Sequence, residues 1–252
     1  TKTSDVGNYV ISGSNATSNH YSISYSTGVL SITKAPLTAK VENTSKEYGS
    51  SNPSFCMEFV GLKNGEKTPV WSSSPSYTTS ATIKSSVGEY EISAKATPKN
   101  YELSEISSGI LKITKAPLTL QANDLSKTYY SENPELTYTC NGLKYWDDIS
   151  VLTVGPILST NAKKESNAGI YEITIKGASA KNYVITYKDG HMTVQKRPLY
   201  VSVGNYERNY GEENPEFTIE YEGFVGADNY KSIDTEPYAY TSASKNTNVG
   251  TY

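Results

Sequence analysis

Catalysis needs a nucleophile, an acid, a base or a metal gathered in one place, and this chain is thinly supplied with all of them. It has two histidines, His20 and His191, and no Ser/His/Asp set or histidine cluster at metal-ligand spacing can be assembled from neighbouring segments. The adjacent acids Asp147 and Asp148 in "YWDDIS" suggest a calcium loop, but the matching stretches carry Glu66 alone or Asp228 and Asp234. Such a pair reads as a solvated face. "VGLKNGEKT" has glycines but lacks the strand-to-helix setting of a phosphate loop. The expectation is therefore a non-enzyme with no catalytic, cofactor-binding or metal-binding residues.

Aromatic residues are the remaining candidates for recognition. Tyrosines sit beside Gly or Tyr in three similar loops, "SKEYGSSNPSF" (45–55), "SKTYYSENPEL" (126–136) and "ERNYGEENPEF" (207–217). Exposed aromatic rings stack on sugars, and loops often carry binding. Tyr48, Tyr129 and Tyr210, with Trp71 and Trp146, are thus the candidate ligand contacts. The Tyr-Gly-x-x-Asn-Pro element also suits a tight turn, since glycine takes positive φ and proline forces the residue before it to be extended. Tyr130 stands where the other two loops have glycine, which argues against a required positive φ there.

The composition excludes several partners. Of 252 residues, 22 are Tyr and 4 are Phe, and charges of mixed sign leave a net charge of −3. Nothing in that balance attracts nucleic acid or an anionic membrane surface. No apolar run approaches the roughly 20 residues needed to cross a bilayer, and "TKTSDVGNYV" lacks the pattern of a signal peptide. Cys56 and Cys140 fall at different places after their Asn-Pro prolines and read as free thiols.

A strict internal period organises the chain. Tyr48, Tyr129 and Tyr210 are 81 residues apart, as are Pro36, Pro117 and Pro198, and Gly61, Gly142 and Gly223. Gly7/Tyr9, Gly88/Tyr90, Gly169/Tyr171 and Gly250/Tyr252 continue the series. Residues 1–34 are then the closing part of a preceding repeat, 35–115 and 116–196 are complete repeats, and 197–252 are the opening part of a further one.

Within each unit, apolar residues alternate with polar ones. Leu118, Leu120 and Ala122, and Tyr171, Ile173 and Ile175, mark strands with one buried and one wet face. Asp189-Gly190 reads as a hairpin turn before Met192 and Val194. Helix has room only near 144–152, where the counterpart segment holds Gly65 and Pro69. The fold class is mostly β: tandem β domains of about 81 residues with five to seven short strands each. The spacing fits an immunoglobulin-like sandwich and a β-grasp sheet clasping one short helix equally. About four residues separate Ile113 from Leu118 and Val194 from Leu199, one of them proline, so an extended, semi-rigid rod is expected.

"KAPLT", "YGSSNP", "GLKNGEKT", "VGEYEISA" and "KNYVITYKDGHMTVQKRPL" together, at a fixed period, resemble the MBG domains (Tyr-Gly-x type) of bacterial surface proteins. The likeness spans the whole chain and departs at Tyr130, Arg197 and "YWDD". It implies a secreted or cell-surface location and a role as a stalk or adhesive module of an adhesin-like array, with no catalytic residues to transfer. The alternative is a multivalent module whose units each engage a host glycan or surface protein weakly. Residues 1–34 also supply strands of the kind that 197–252 lack, so head-to-tail self-association through the end repeats is a further expectation.

Overall fold

In the computed structural model, which describes all 252 residues, the alternating segments are strands and the chain has no α-helix. Helical structure is confined to 3₁₀ turns at Ile149–Val151 and Tyr230–Ser232. The segment with room for a helix thus forms a single turn, capped by the Asp148 side chain accepting from Ser150 N–H. By backbone proximity the residues form two compact units. One is Thr1–Leu118 with Gly142–Val154 and Ser179–Ile185; the other is Thr119–Asn141 with Gly155–Ala178 and Thr186–Tyr252. The division cuts through the second repeat because two of its segments cluster with the residues that precede it.

The first unit opens with a hairpin of β1 (Gly7–Ile11) and β2 (Gly28–Ile32), in antiparallel register Gly7↔Ile32. The first complete repeat follows with seven strands. These are β3 (Ala35–Val41), β4 (Thr44–Glu47), β5 (Met57–Val60), β6 (Trp71–Thr78), β7 (Gly88–Pro98), β8 (Tyr101–Ser107) and β9 (Gly109–Thr114). They make a three-stranded sheet, β5-β3-β8, and a four-stranded sheet, β4-β9-β7-β6. Pairings β3–β8 and β4–β9 are parallel, the others antiparallel. Leu37, Ala39 and Val41 of one sheet and Ile92, Leu111 and Ile113 of the other are buried, alternating with exposed Thr38, Lys40 and Lys112. Each buried Leu or Ile contributes about 1.5–3 kcal/mol. The two sheets with a common core and no helix correspond to the sandwich alternative.

The second repeat runs through β10 (Ala116–Ala122), β11 (Leu125–Thr128), β12 (Tyr138–Asn141), β13 (Leu152–Val154), β14 (Ile157–Thr160), β15 (Gly169–Lys176), β16 (Ser179–Ala180), β17 (Tyr183–Lys188) and β18 (Gly190–Gln195). Strand order is β12-β10-β17 and β11-β18-β15-β14, the same scheme as before. Registers recur at the 81-residue period: Gly88↔Ile113 becomes Gly169↔Val194, and Thr44↔Leu111 becomes Leu125↔Met192. The difference lies at β6. Pro75 sits in that strand among register shifts, and at the equivalent Pro156 the strand is split into β13 and β14. Proline cannot donate to the ladder, so it bulges one copy and breaks the other. The third repeat contributes β19 (Tyr200–Val203) and β20 (Ile219–Glu222), an antiparallel pair.

Only Lys115 separates β9 from β10. Three glycines with φ of 111°, 108° and 119° end the strands after each turn: Gly61, Gly142 and Gly223. A Cβ on them would lie 2.9, 2.8 and 2.8 Å from the carbonyl oxygens of Pro36, Pro117 and Pro198. Gly61→Ala is therefore expected to lower the urea midpoint of the chain, at a cost of about 1–3 kcal/mol. Gly155→Ala, where nothing lies within 4 Å and φ is ordinary, should leave it unchanged.

Candidate functional site: the tyrosine turn and its acidic receptor

Each tyrosine turn is tied to the loop opposite it by a cation and an asparagine. Lys46, 7 % exposed, donates to the carbonyls of Ser50 (3.0 Å) and Thr82 (2.7 Å), while Asn52 donates to the Ala81 carbonyl at 2.8 Å. Lys127 repeats this with Ser131 (3.0 Å) and Lys163 (2.5 Å), and Asn133 with Ala162 at 2.7 Å. In the third repeat Arg208 reaches the carbonyls of Asn209 and Ser244, and Asn214 that of Ala243. Burial pushes the Lys46 ammonium below its usual range. Such a charge is tolerable only because carbonyls replace its water.

The turn backbone is left-handed at the position after the tyrosine in all three copies: Gly49 at 81°, Tyr130 at 65° and Gly211 at 89°. Positive φ is thus kept where the sequence argued against it. Tyr130 holds it through its N–H on the Lys164 carbonyl (3.1 Å), with Lys164 Nζ 5.1 Å from its ring centre.

The tyrosine of one repeat is received by the acid of the next. Within the first unit, Tyr48 is only 4 % exposed; its hydroxyl donates to Asp147 Oδ1 (3.3 Å) and accepts from Trp146 Nε1 (3.2 Å). Asp147 Oδ2 accepts the hydroxyl of Tyr183, which itself accepts from Lys144 N–H at 3.0 Å. The Tyr48 and Tyr183 rings meet edge to face at 5.5 Å. Lys144 pairs with Glu47 at 2.9 Å, and Lys84 Nζ lies 5.5 Å from the Trp146 ring centre. Within the second unit, the Asp228 carboxylate beside Tyr129 holds that phenol above its ordinary pKa. Glu66 accepts the hydroxyl of its own repeat's Tyr101 at 2.6 Å, as Asp147 accepts that of Tyr183.

A second contact joins consecutive repeats. Asn100 Oδ1 accepts from Val6 N–H at 3.1 Å, and Asn182 Oδ1 from Val87 N–H at 3.0 Å. Asp5 adds an ion pair to Lys99 (2.6 Å) and a bond from Asn100 (2.8 Å).

Of the five aromatic candidates, the structure brings Tyr48 and Trp146 together and sets Tyr129 against Asp228. Tyr210 is 65 % exposed, and Trp71 packs on Phe59 at 5.7 Å, apart from the turn. Cys56 and Cys140 are free, and no three His, Cys, Asp or Glu side chains converge as a metal site. A groove of about 1010 Å³ in the third repeat, lined by Tyr206, Phe217, Tyr238 and Tyr240, lies between the counterparts of β4 and β7. In the first repeat β9 lies between β4 and β7. Sequence reasoning missed the acids as receptors, and it missed Asn100, Asn182 and the buried lysines. Their signal was present: Glu66, Asp147 and Asp228 recur at the 81-residue period, and Lys-Asn-Tyr appears at 99–101 and 181–183.

The family profile described as MBG domain (YGX type) matches residues 37–112, 118–193 and 199–252. No curated protein matches the chain. Among solved structures, that of Yersinia pseudotuberculosis InvD is similar at 12% identity and a TM-score of 0.24, covering 77% of this chain and 70% of that one.

Burial first, and then the bond to Asp147, raise the Tyr183 pKa well above 10.0. The stability this phenol contributes is complete below about pH 10 and is lost as the pH rises from there toward the folded value, because only the unfolded state releases the proton. Urea midpoints measured from pH 8 to 11 should therefore fall on the alkaline side, and Tyr183→Phe should flatten that fall. At neutral pH the same variant should cost about 1.5–3 kcal/mol, the worth of a hydrogen bond to a charged group.

Proposed function

Since the chain belongs to the MBG-domain family of the YGX type, we propose that its repeats are non-enzymatic spacer modules of a bacterial cell-surface protein, acting by length and presentation. The observation that carries this reading is the way consecutive repeats are fastened. Tyr48 is seated on Asp147 and Trp146, Val87 N–H on Asn182, and one residue, Lys115, connects the strands. A module hung for independent binding has no use for a buried polar clamp to its neighbour, whereas a spacer must resist bending at each joint. The most prominent aromatic candidate, Tyr48, is also spent in that clamp and offers no face to a ligand.

Two measurements on the 252-residue chain test the proposal. Small-angle scattering should give an elongated particle, and Tyr48→Phe with Asn182→Ala should broaden its distance distribution without loss of β content. Binding to a panel of glycans and matrix proteins should show no saturation. A compact particle, or saturable binding to one ligand, overturns the spacer reading.

A further inference from the structure

The two turns that have receptor loops are built with opposite distributions of bulk. In the first, the residue after the tyrosine is Gly49, and the loop it meets is Lys144-Tyr145-Trp146. A Cβ on Gly49 would lie 2.5 Å from Lys144 Cγ and 2.6 Å from Cδ, so the lysine stem crosses the space a side chain would need. In the second, that residue is Tyr130, and the loop is Val225-Gly226-Ala227. There a Cβ on Gly226 would lie 2.5 Å from Tyr130 Cζ and Oη. The void left by glycine on one side is filled by the long side chain of the other, and the sides exchange roles.

The aromatic shield over the seated tyrosine changes origin in the same way. Trp146 from the receptor loop covers the Tyr48 hydroxyl, whereas Ala227 stands in its place and Tyr130, from the turn itself, packs on Tyr129 with ring centres 6.0 Å apart. In both cases a lysine from the loop of the earlier repeat lies near the aromatic face, Lys84 at 5.5 Å from Trp146 and Lys164 at 5.1 Å from Tyr130. The Glu47–Lys144 pair has no counterpart at Thr128 and Val225. Lys144 is long where the turn is small, and Val225 is short where the turn is large.

We propose that the position after the turn tyrosine is a selector of the neighbouring module. A turn with glycine there takes a module whose loop brings a long cationic and an aromatic side chain. A turn with tyrosine takes one whose loop is small and apolar. The partner of each turn is thus a following module of the same family with a loop of stated chemistry, and the order of modules along the chain is written into their contacts. The turn at Tyr210 and Gly211 is of the glycine kind, so the selector would pair it with a loop of the Lys144–Trp146 kind. This rests on the reading that adjacent modules are fastened for spacing.

Exchange of both halves tests it in the full chain. Gly49→Tyr alone should lower the urea midpoint and speed amide exchange at residues 45–50. Combined with Lys144→Val, Tyr145→Gly and Trp146→Ala, it should recover at least half of that loss. The reciprocal set starts by removing bulk, so it remains informative if Gly49→Tyr does not fold: Tyr130→Gly should speed exchange at residues 126–131, and adding Val225→Lys, Gly226→Tyr and Ala227→Trp should restore it. Additive effects in both cycles overturn the selector. Additivity in a chain that still scatters as an elongated particle leaves the spacer reading standing, whereas coupling in a compact particle removes the spacer reading and keeps the selector.

Discussion

One carboxylate with two phenols governs the architecture. Asp147 accepts Tyr183 from its own repeat on one oxygen and Tyr48 from the preceding repeat on the other. Half-buried polar groups of this kind are stable only when all are satisfied together, and every buried side-chain nitrogen and oxygen in the chain has a partner. The acid therefore cannot be set by the loop alone. It must stand where β17 begins and where the earlier turn ends, which is why residues 142–154 and 179–185 cluster with the repeat before them. Asn182 and Tyr183 are consecutive, so a single corner fastens Val87 N–H of the preceding repeat and holds the Asp147 carboxylate that receives Tyr48.

The turn that delivers Tyr48 is held from behind with comparable care. A buried ammonium is costly, and Lys46 is accommodated because two carbonyls of two different segments accept its protons. The same carbonyl positions serve Lys127, and the arginine at 208 serves the third copy. The Asn-Pro asparagine adds a second tie to the same loop in all three repeats. The tyrosine thus projects from a turn whose position is fixed within its own module before any neighbour is met, a form of preorganisation that reduces the entropy lost on docking.

The 81-residue period and the alternation of apolar residues make the strands and the module type legible in the sequence, because burial of one sheet face imposes period two on residues such as Leu118, Leu120 and Ala122. The choice of a sandwich over a helix-clasping sheet is not legible at 144–152, where a short polar segment fits a turn as well as a helix. The receptor was hidden for a different reason. By spacing alone Asp147 and Asp148 form one acidic pair, yet the two side chains serve different ends, one seating tyrosines and the other capping a 3₁₀ turn. Sequence spacing reports residues that share a strand; it does not report which carboxylate faces a neighbouring module.

Where the repeats differ is as informative as where they agree. Had the position after the turn tyrosine been constrained by backbone alone, glycine would serve in all three copies, since a non-glycine residue in the left-handed region costs about 1–2 kcal/mol. Tyr130 accepts that cost at a φ of 65°. Its ring finds Tyr129, the ammonium of Lys164 and the bare backbone of Gly226, contacts that a glycine could not make. Gly226 in turn has φ of 62° and so is itself a residue chosen for backbone freedom, but the space over it is the space Tyr130 occupies. Two strained positions facing each other, one filled and one empty, are stable as a pair and unfavourable if either is paired with its opposite number from the first turn: Tyr130 would meet a lysine stem, and Gly49 would face a void.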